Sequence, residues 1–396
     1  MARFSAEATP TLGVSTVLAH AGSHPGDHHG FVNTPSYRGS TVVFTDVATM
    51  QSGNQRFGYG RWGNPTTSAL AEAITALEGA EGTVICPSGL AACTTAILAT
   101  VGAGDHLLVP DSVYAPTRHF CETAGKRFGI ETTYYDPLIG AGIEGLFRQN
   151  TKAVFAESPG SHTFEIQDIP AIAEVAHRHD ALVIMDNTWA TPLFFKAIPA
   201  GVDISLMAAT KYIVGHSDAM LGTVAAGPRA WERLKAFHFQ SGMYVGPDDV
   251  NLALRGLRTL EVRLMRHQQS ALKIARWLES REEVARVLHP ALPSHPSHAL
   301  WTRDFTGASG LFSFVTKAAP FEAVRAMLDG LSFFSLGYSW GGFESLAMTV
   351  DPRKMRTATA WNEPGHLIRL HIGLEDPADL TFDLQTGFER FNAVSA

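Results

Sequence analysis

At 396 residues the chain is too long for one small core and predicts two closely packed domains. Hydrophobic residues make up 45% and charged residues 17%, as in ordinary globular proteins, and a net charge of −7 argues against a nucleic-acid or anionic-membrane partner. The cysteines Cys86, Cys93 and Cys121 fit neither a disulfide framework nor a zinc site, and no stretch reads as a membrane span or signal region, so the expected compartment is the cytoplasm.

Residues 1 to 60 read as irregular. His20, His24, His28 and His29 lie among Gly, Pro and Ser with no converging carboxylate or cysteine, which is a polar loop and not a metal site. In YGRWGNPTTSAL, Thr66 or Thr67 caps a helix whose Leu70, Ala73, Ile74 and Leu77 share one face. Tyr59 and Arg61, just before it, are bracketed by glycine and too polar for a core.

From Thr83 onward, short apolar runs alternate with helical stretches. The runs are Val84–Cys86, Leu107–Val109, Ala153–Ala156, Leu182–Met185, Ile204–Ala208 and Thr223–Ala226. This pattern predicts a mostly parallel sheet covered on both faces, with ligands beyond the carboxyl ends of its strands. Ser88-Gly89, Glu157-Ser158, Asp186 and Lys211 all fall at such ends. One long helix is expected over Val250 to Glu279, striped by Leu257, Leu260, Leu264, Ala271, Ala275 and Leu278. Beyond it come strands at Leu311–Val315 and Leu367–Ile372, a helix started by Pro320, and a last helix carrying Leu380, Leu384, Phe388 and Phe391, an α/β or α+β sandwich. The division expected is an arm over 1–60, a cofactor domain over 61–257 and a C-terminal domain over 258–396.

Lys211 ends an apolar strand on a Thr-Lys-Tyr corner, where desolvation favours a neutral, nucleophilic amine. A strand-end lysine is ordinarily a solvated cap. Asp186, ending its own apolar strand 25 positions earlier, changes the weighing. An acid for a pyridinium nitrogen and a lysine for an aldehyde carbon are what a protein contributes to pyridoxal phosphate (PLP) chemistry. Ser88-Gly89-Leu90 is a strand-to-helix turn suited to a phosphate, and equally to plain helix capping. Tyr114 can stack on a flat ring or pack at the surface. Arg369, on an apolar strand, needs a carboxylate, from the protein or from an amino-acid substrate. Tyr338-Ser339-Trp340-Gly341-Gly342 is suited to lining a pocket.

The segments YGRWGNPT, ESPGS, MDNTWAT, AATKYIVGHSDAMLGT, YSWGGFESL and LIRLHIGLED resemble those of the Cys/Met-metabolism PLP-dependent enzymes, and among these the bacterial cystathionine β-lyases. The resemblance runs in order along nearly the whole chain past residue 10. It implies the aspartate-aminotransferase-like fold type I, an α/β fold with a large domain and a smaller C-terminal one. It implies Lys211 as the cofactor-linked lysine and base, with Tyr114 as the second catalytic residue, stacked on the ring. Asp186 is implied at the ring nitrogen, and Gly89, Leu90 and Thr210 at the phosphate, joined by Tyr59 and Arg61 of a neighbouring subunit. Arg369 and Ser339 hold the substrate carboxylate, beside Tyr338 and Trp340. No metal is implied, and relatives form a homotetramer of two catalytic dimers.

The implied reaction is β-elimination from L-cystathionine to homocysteine, pyruvate and ammonia, a step of methionine synthesis. A broader cysteine-S-conjugate lyase or cysteine desulfhydrase would use the same machinery. A binding protein without turnover would have no need of the lysine base. Two departures stand out. Many relatives have serine where this chain has Ala208, and asparagine where it has Ser161, and the β-lyase branch is compatible with both changes. The γ-acting relatives generally carry an acidic residue at the position of Tyr338. Tyr338 and Trp340 are expected instead to form an aromatic wall.

Overall fold

The computed structural model describes residues 12–395. A seven-stranded sheet forms the large domain. Its strands are β1 (Gly82–Cys86), β2 (His106–Pro110), β3 (Glu131–Tyr135), β4 (Thr151–Glu157), β5 (Leu182–Asp186), β6 (Ile204–Met207) and β7 (Gly222–Ala226), in the order β1-β7-β6-β5-β4-β2-β3. Only β7 runs against its neighbours β1 and β6; the remaining pairs are parallel. Successive side chains of a strand point to opposite faces, so a strand apolar throughout is buried on both. Thus Val154 and Ala156 of β4 and Val183 and Met185 of β5 join one cluster, with helices Pro65–Glu78 and Ile169–Arg178. Ala153 and Phe155, with Leu182 and Ile184, join another against helix Gly89–Leu98.

The C-terminal domain carries a second sheet of β8 (Val284–Leu288), β9 (Leu311–Thr316), β10 (Ser335–Leu336), β11 (Leu346–Val350) and β12 (Leu367–His371), ordered β10-β11-β12-β9-β8. Its long pairs are antiparallel, so of the two sandwich types expected the structure is the α+β one. Helices Leu260–Glu279, Phe321–Asp329 and Pro377–Ser395 supply the core on one face of the sheet, through Ile274, Val324 and Leu384 among others. No helix among the described residues is long and apolar enough to cross a membrane.

Four expectations change. The stretch read as irregular holds the short helices Val14–His20 and Val47–Ser52, and helix Pro65–Glu78 is capped not by a threonine but by Asn64, which accepts from the Thr66 and Thr67 amides. The helix read over Val250 to Glu279 is two helices, Pro247–Leu257 and Leu260–Glu279. The break has a local cause: the Gly256 carbonyl accepts from the Thr259 amide at 3.1 Å, and from Arg263 Nη2 at 2.7 Å. The tight turn and the guanidinium take the acceptor that a continuous helix would use. The edge strand β3 also escapes an apolar-run search, because ETTYY is polar along its exposed side.

Candidate active site

The site lies beyond the carboxyl ends of β4, β5 and β6 and is closed by β12 of the second sheet. Lys211 follows β6 in a turn held by Lys211 N to Ala208 O (2.9 Å) and Gly215 N to Lys211 O (2.8 Å). Gly341, at φ +90°, lies directly on the Lys211 backbone, where a Cβ would come within 3.1 Å of the Lys211 Cβ. Burial, then the Arg369 charge, pulls the amine down to about 8, against an upward pull from Asp186. The solvated-cap reading therefore fails. Nζ donates to Ser339 Oγ at 2.5 Å and stands 5.5 Å from the centre of the Trp340 ring.

Asp186 ends β5. Its Oδ1 accepts from the Thr188 amide at 3.0 Å and from the Thr188 hydroxyl, which in turn accepts from the Ala208 amide at 2.9 Å. One threonine thus ties the end of β5 to the end of β6, the acid to the lysine turn. Among the described residues Oδ2 has only the Cys93 thiol, at 3.9 Å. Burial raises the Asp186 pKa, opposed by Thr188 and Lys211. Beside it in register, Glu157 ends β4 and accepts the Tyr114 amide at 2.7 Å. Burial and then the neighbouring Asp186 charge push the Glu157 pKa well above its ordinary value.

Arg369, on β12, is 7% exposed and pairs with no carboxylate among the described residues. Its Nη2 donates to the Ser339 carbonyl at 2.9 Å, and burial lowers its pKa to about 10. A buried guanidinium with one neutral acceptor is costly, and a substrate carboxylate in the cleft is the natural partner. Ser339 therefore holds Lys211 through its hydroxyl and Arg369 through its carbonyl. It does so at φ +77°, a conformation rare for a non-glycine residue and found mostly where a site demands it. His162, at φ +66°, also senses the Arg369 charge; burial first, and that charge second, drop its pKa to about 3 and keep the ring neutral.

At the start of helix Gly89–Leu98, Ser88 caps by accepting the Ala91 amide at 3.0 Å. The Gly89 and Leu90 amides have no acceptor among the described residues, as the opening turn of a helix requires if an anion is to sit there. A Cβ on Gly89 would overlap the Ala208 Cβ, so the helix reaches β6 only because position 89 is glycine. Free helix-end amides, a buried acid with one open oxygen, a depressed lysine amine and an unpaired arginine form a donor set that fits pyridoxal phosphate carrying an amino acid.

Other expected residues sit differently. The Thr210 hydroxyl donates to Leu221 O at 3.1 Å and accepts Leu221 N at 3.0 Å, so it pins the turn and its proton is spent there. Tyr338 does not form the expected wall with Trp340: it is 88% exposed, and no ring contact or hydrogen bond joins it to the site among the described residues. The left-handed Ser339 breaks the alternation that would have pointed both rings to one side. Trp340 stays, packed 5.3 Å from Tyr212. Tyr114 is exposed at 42%, and desolvation of its hydroxyl raises the pKa, so it remains a phenol. Arg61 lies against its own chain's helix Trp231–Gln240, donating to Phe239 O at 3.0 Å and standing 5.3 Å from its ring centre, while the Tyr59 ring packs on Trp62 at 5.9 Å. Sequence reasoning gave no role to Glu157, Thr188 or His162. A polar residue one to two positions beyond an apolar strand was the only signal for the first two, and His162 gave none.

The family model for Cys/Met metabolism PLP-dependent enzymes matches residues 15–389. A Rhizobium johnstonii protein with a provisional cystathionine beta-lyase name is 57% identical over 386 residues, covering 96% of this chain and 97% of its own. Cystathionine beta-lyase MetC of Escherichia coli is 45% identical over 388 residues, covering 95% and 98%. The crystal structure of cystathionine gamma synthase from Xanthomonas oryzae pv. oryzae, in complex with aminoacrylate and cysteine, is 33% identical with a TM-score of 0.89, covering 98% of this chain and 100% of that one.

Proposed function

The chain belongs to the Cys/Met metabolism PLP-dependent enzymes, and from that premise we propose that it is a carbon–sulfur β-lyase cleaving L-cystathionine to homocysteine, pyruvate and ammonia. Relatives 57% and 45% identical along nearly the whole chain bear cystathionine beta-lyase names, which favours the β-acting branch over the synthase that shares the fold. The observation that carries the reading is Ser339 joined to both Lys211 and Arg369. It sets a base and a carboxylate anchor side by side, as proton removal next to a carboxylate requires.

Pyridoxal phosphate, held by Lys211 between turnovers and by the substrate amine during them, would supply an electron sink for the charge left on Cα, and that exchange leaves the Lys211 amine free to act. The Gly89 and Leu90 amides would hold its phosphate, Asp186 Oδ2 its ring nitrogen and Tyr114 one face of its ring. Arg369 would grip the substrate α-carboxylate with the guanidinium nitrogens that Ser339 leaves free. With a pKa near 8, Lys211 keeps a useful neutral fraction near neutrality and removes the α-proton. Ser339 Oγ keeps Nζ in place, and the Trp340 ring stabilises the ammonium that results. That ammonium then protonates the sulfur leaving Cβ. Glu157, accepting the Tyr114 amide, would hold the backbone of the loop that carries the stacking ring.

The same reading includes a cytoplasmic homotetramer of two catalytic dimers, with Tyr59 and Arg61 reaching a neighbour's phosphate. A broader cysteine-S-conjugate lyase is favoured by one observation: Tyr338 faces solvent, which leaves Trp340 as the aromatic side of the cleft and widens it for other thioethers. Product analysis on L-cystathionine tests the main reading. Pyruvate with homocysteine is expected, and 2-oxobutyrate with cysteine as the main pair would overturn it. Rates on cystine and cysteine in the same assay rank the broader reading.

A further inference from the structure

We propose that Asp111 is a positioning residue that clamps the Arg369-bearing domain onto the loop carrying Tyr114, an inference that rests on the β-lyase reading of the site. Asp111 directly follows β2, three residues before Tyr114, and is 2% exposed. Its carboxylate receives three consecutive amides from the other domain: Thr357 N at 2.9 Å, Ala358 N at 3.0 Å and Thr359 N at 2.7 Å. The Thr359 hydroxyl adds a fourth bond at 2.8 Å and the Thr357 hydroxyl a longer fifth at 3.4 Å. Successive amides turned to one oxygen pair form a nest for an anion, and here the protein's own carboxylate fills it. Arg118 Nη2 balances the charge at 2.5 Å, and Arg118 also stacks 3.6 Å from the centre of the Tyr134 ring. Burial pushes the Asp111 pKa up, but the Thr357 and Thr359 donors and Arg118 together hold it below its ordinary value.

A second tie lies next to the first. Arg356 Nη2 donates to Glu165 Oε1 at 2.6 Å and to Thr163 Oγ1 at 2.5 Å, within the loop that contains His162. That loop is joined to the Asp111 loop by Ser161 N to Ser112 O at 2.8 Å. Residues 356–359 therefore reach both large-domain loops beside the site. They lie between β11 and β12, the strand that carries Arg369. Their attachment fixes how far the carboxylate anchor stands from Tyr114 and from the loop after β4. An ordinary surface latch would not turn five donors of one segment onto one buried acid.

Misplacement of reacting groups by about 1 Å costs roughly 100-fold in rate. Asp111→Ala should therefore lower kcat by about 10- to 100-fold and weaken glycine binding, read from the visible band of the holoenzyme. Glycine has no Cβ substituent to lose, so this readout does not depend on the lyase activity. The cofactor band itself should persist, and hydrogen exchange at the amides of residues 357–359 should accelerate. Asp111→Asn, which keeps two acceptor lone pairs but no charge, should recover part of each loss. Ala358→Pro removes one donor from the far side without touching Asp111 or Arg118, and should move kcat and glycine binding in the same direction. If Asp111→Ala does not fold, Ala358→Pro decides. Faster exchange at 357–359 with kcat and glycine affinity both within twofold of wild type would overturn the proposal. Wild-type enzyme that binds glycine but makes no pyruvate from cystathionine would overturn the lyase reading instead and leave the clamp measurable.

Discussion

Lys211 owes its reactivity to neighbours that act in opposite directions. Burial and Arg369 lower its pKa to about 8, and Asp186 raises it. Only the neutral amine attacks an aldehyde, so cofactor recapture by the stripped enzyme should quicken as pH rises through about 8 and level off above. In Arg369→Met the cation is gone, the charged amine is less disfavoured, and the midpoint should move to higher pH. The check is the rate at which the visible band returns after pyridoxal phosphate is added, followed across pH. An unmoved midpoint would remove Arg369 from the account. At this scale the sequence is informative where a polar residue breaks an apolar run, as at Asp186, Lys211 and Arg369. It is silent where a role depends on distant contact: Ser339 bonds Lys211 across 128 positions, and Asp111 meets Thr359 across 248. The placement of Tyr338 is hidden for a related reason, since nothing in the residue order marks the left-handed Ser339 that follows it.

The turn after β6 is held from outside by helix Pro247–Leu257, and the contact point is Gly256. A Cβ there would collide with the carbonyl oxygens of Ile213 and Val214, two and three residues beyond Lys211. Backbone cannot yield as a side chain does, so Gly256→Ala should cost about 1–3 kcal/mol of stability as an overpacked site. It should also shift Lys211 and weaken the cofactor band, which urea unfolding and a visible spectrum would report together. Unchanged stability would mean that the helix moves freely, against the close packing described here. Elements whose apolar period is strong were readable: strands β1, β2 and β4 to β7, and the last helix with Leu380, Leu384 and Phe388. The break at Arg258-Thr259 was not, because the Leu257, Leu260 and Leu264 stripe continues across it. The guanidinium of Arg263 that settles the turn cannot be recognised from periodicity. The polar edge strand β3 and the short β10 are missing from such a reading for the opposite reason, too little apolar signal.

Across the whole molecule, large apolar side chains concentrate outside the cores in the segment before helix Pro65–Glu78. Val43 is 83% exposed, and Phe31, Val32, Val47, Met50 and Trp62 are exposed with it. Scattered apolar residues are normal on a surface, but a run of this kind along one arm marks a contact face. Arg61 ends the same arm, held to Phe239 by a backbone carbonyl and a ring face, with no carboxylate partner among the described residues. An arm that packs on a second copy would carry Tyr59 and Arg61 with it, and a cation beside a helix start suits a phosphate. If Arg61 serves the partner's site, Arg61→Ala and Lys211→Ala damage different sites in a mixed dimer. Each hybrid then has one site with both defects and one with none. Random exchange makes half of the dimers hybrid, so an equal mixture of the two inactive variants should recover about a quarter of wild-type pyruvate formation, as expected for a two-fold interface. The mixture is made by refolding the variants together, and hybrids are verified by mass. Verified hybrids with no recovered activity would place Arg61 in the service of its own chain, and the arm would then be a packing element only.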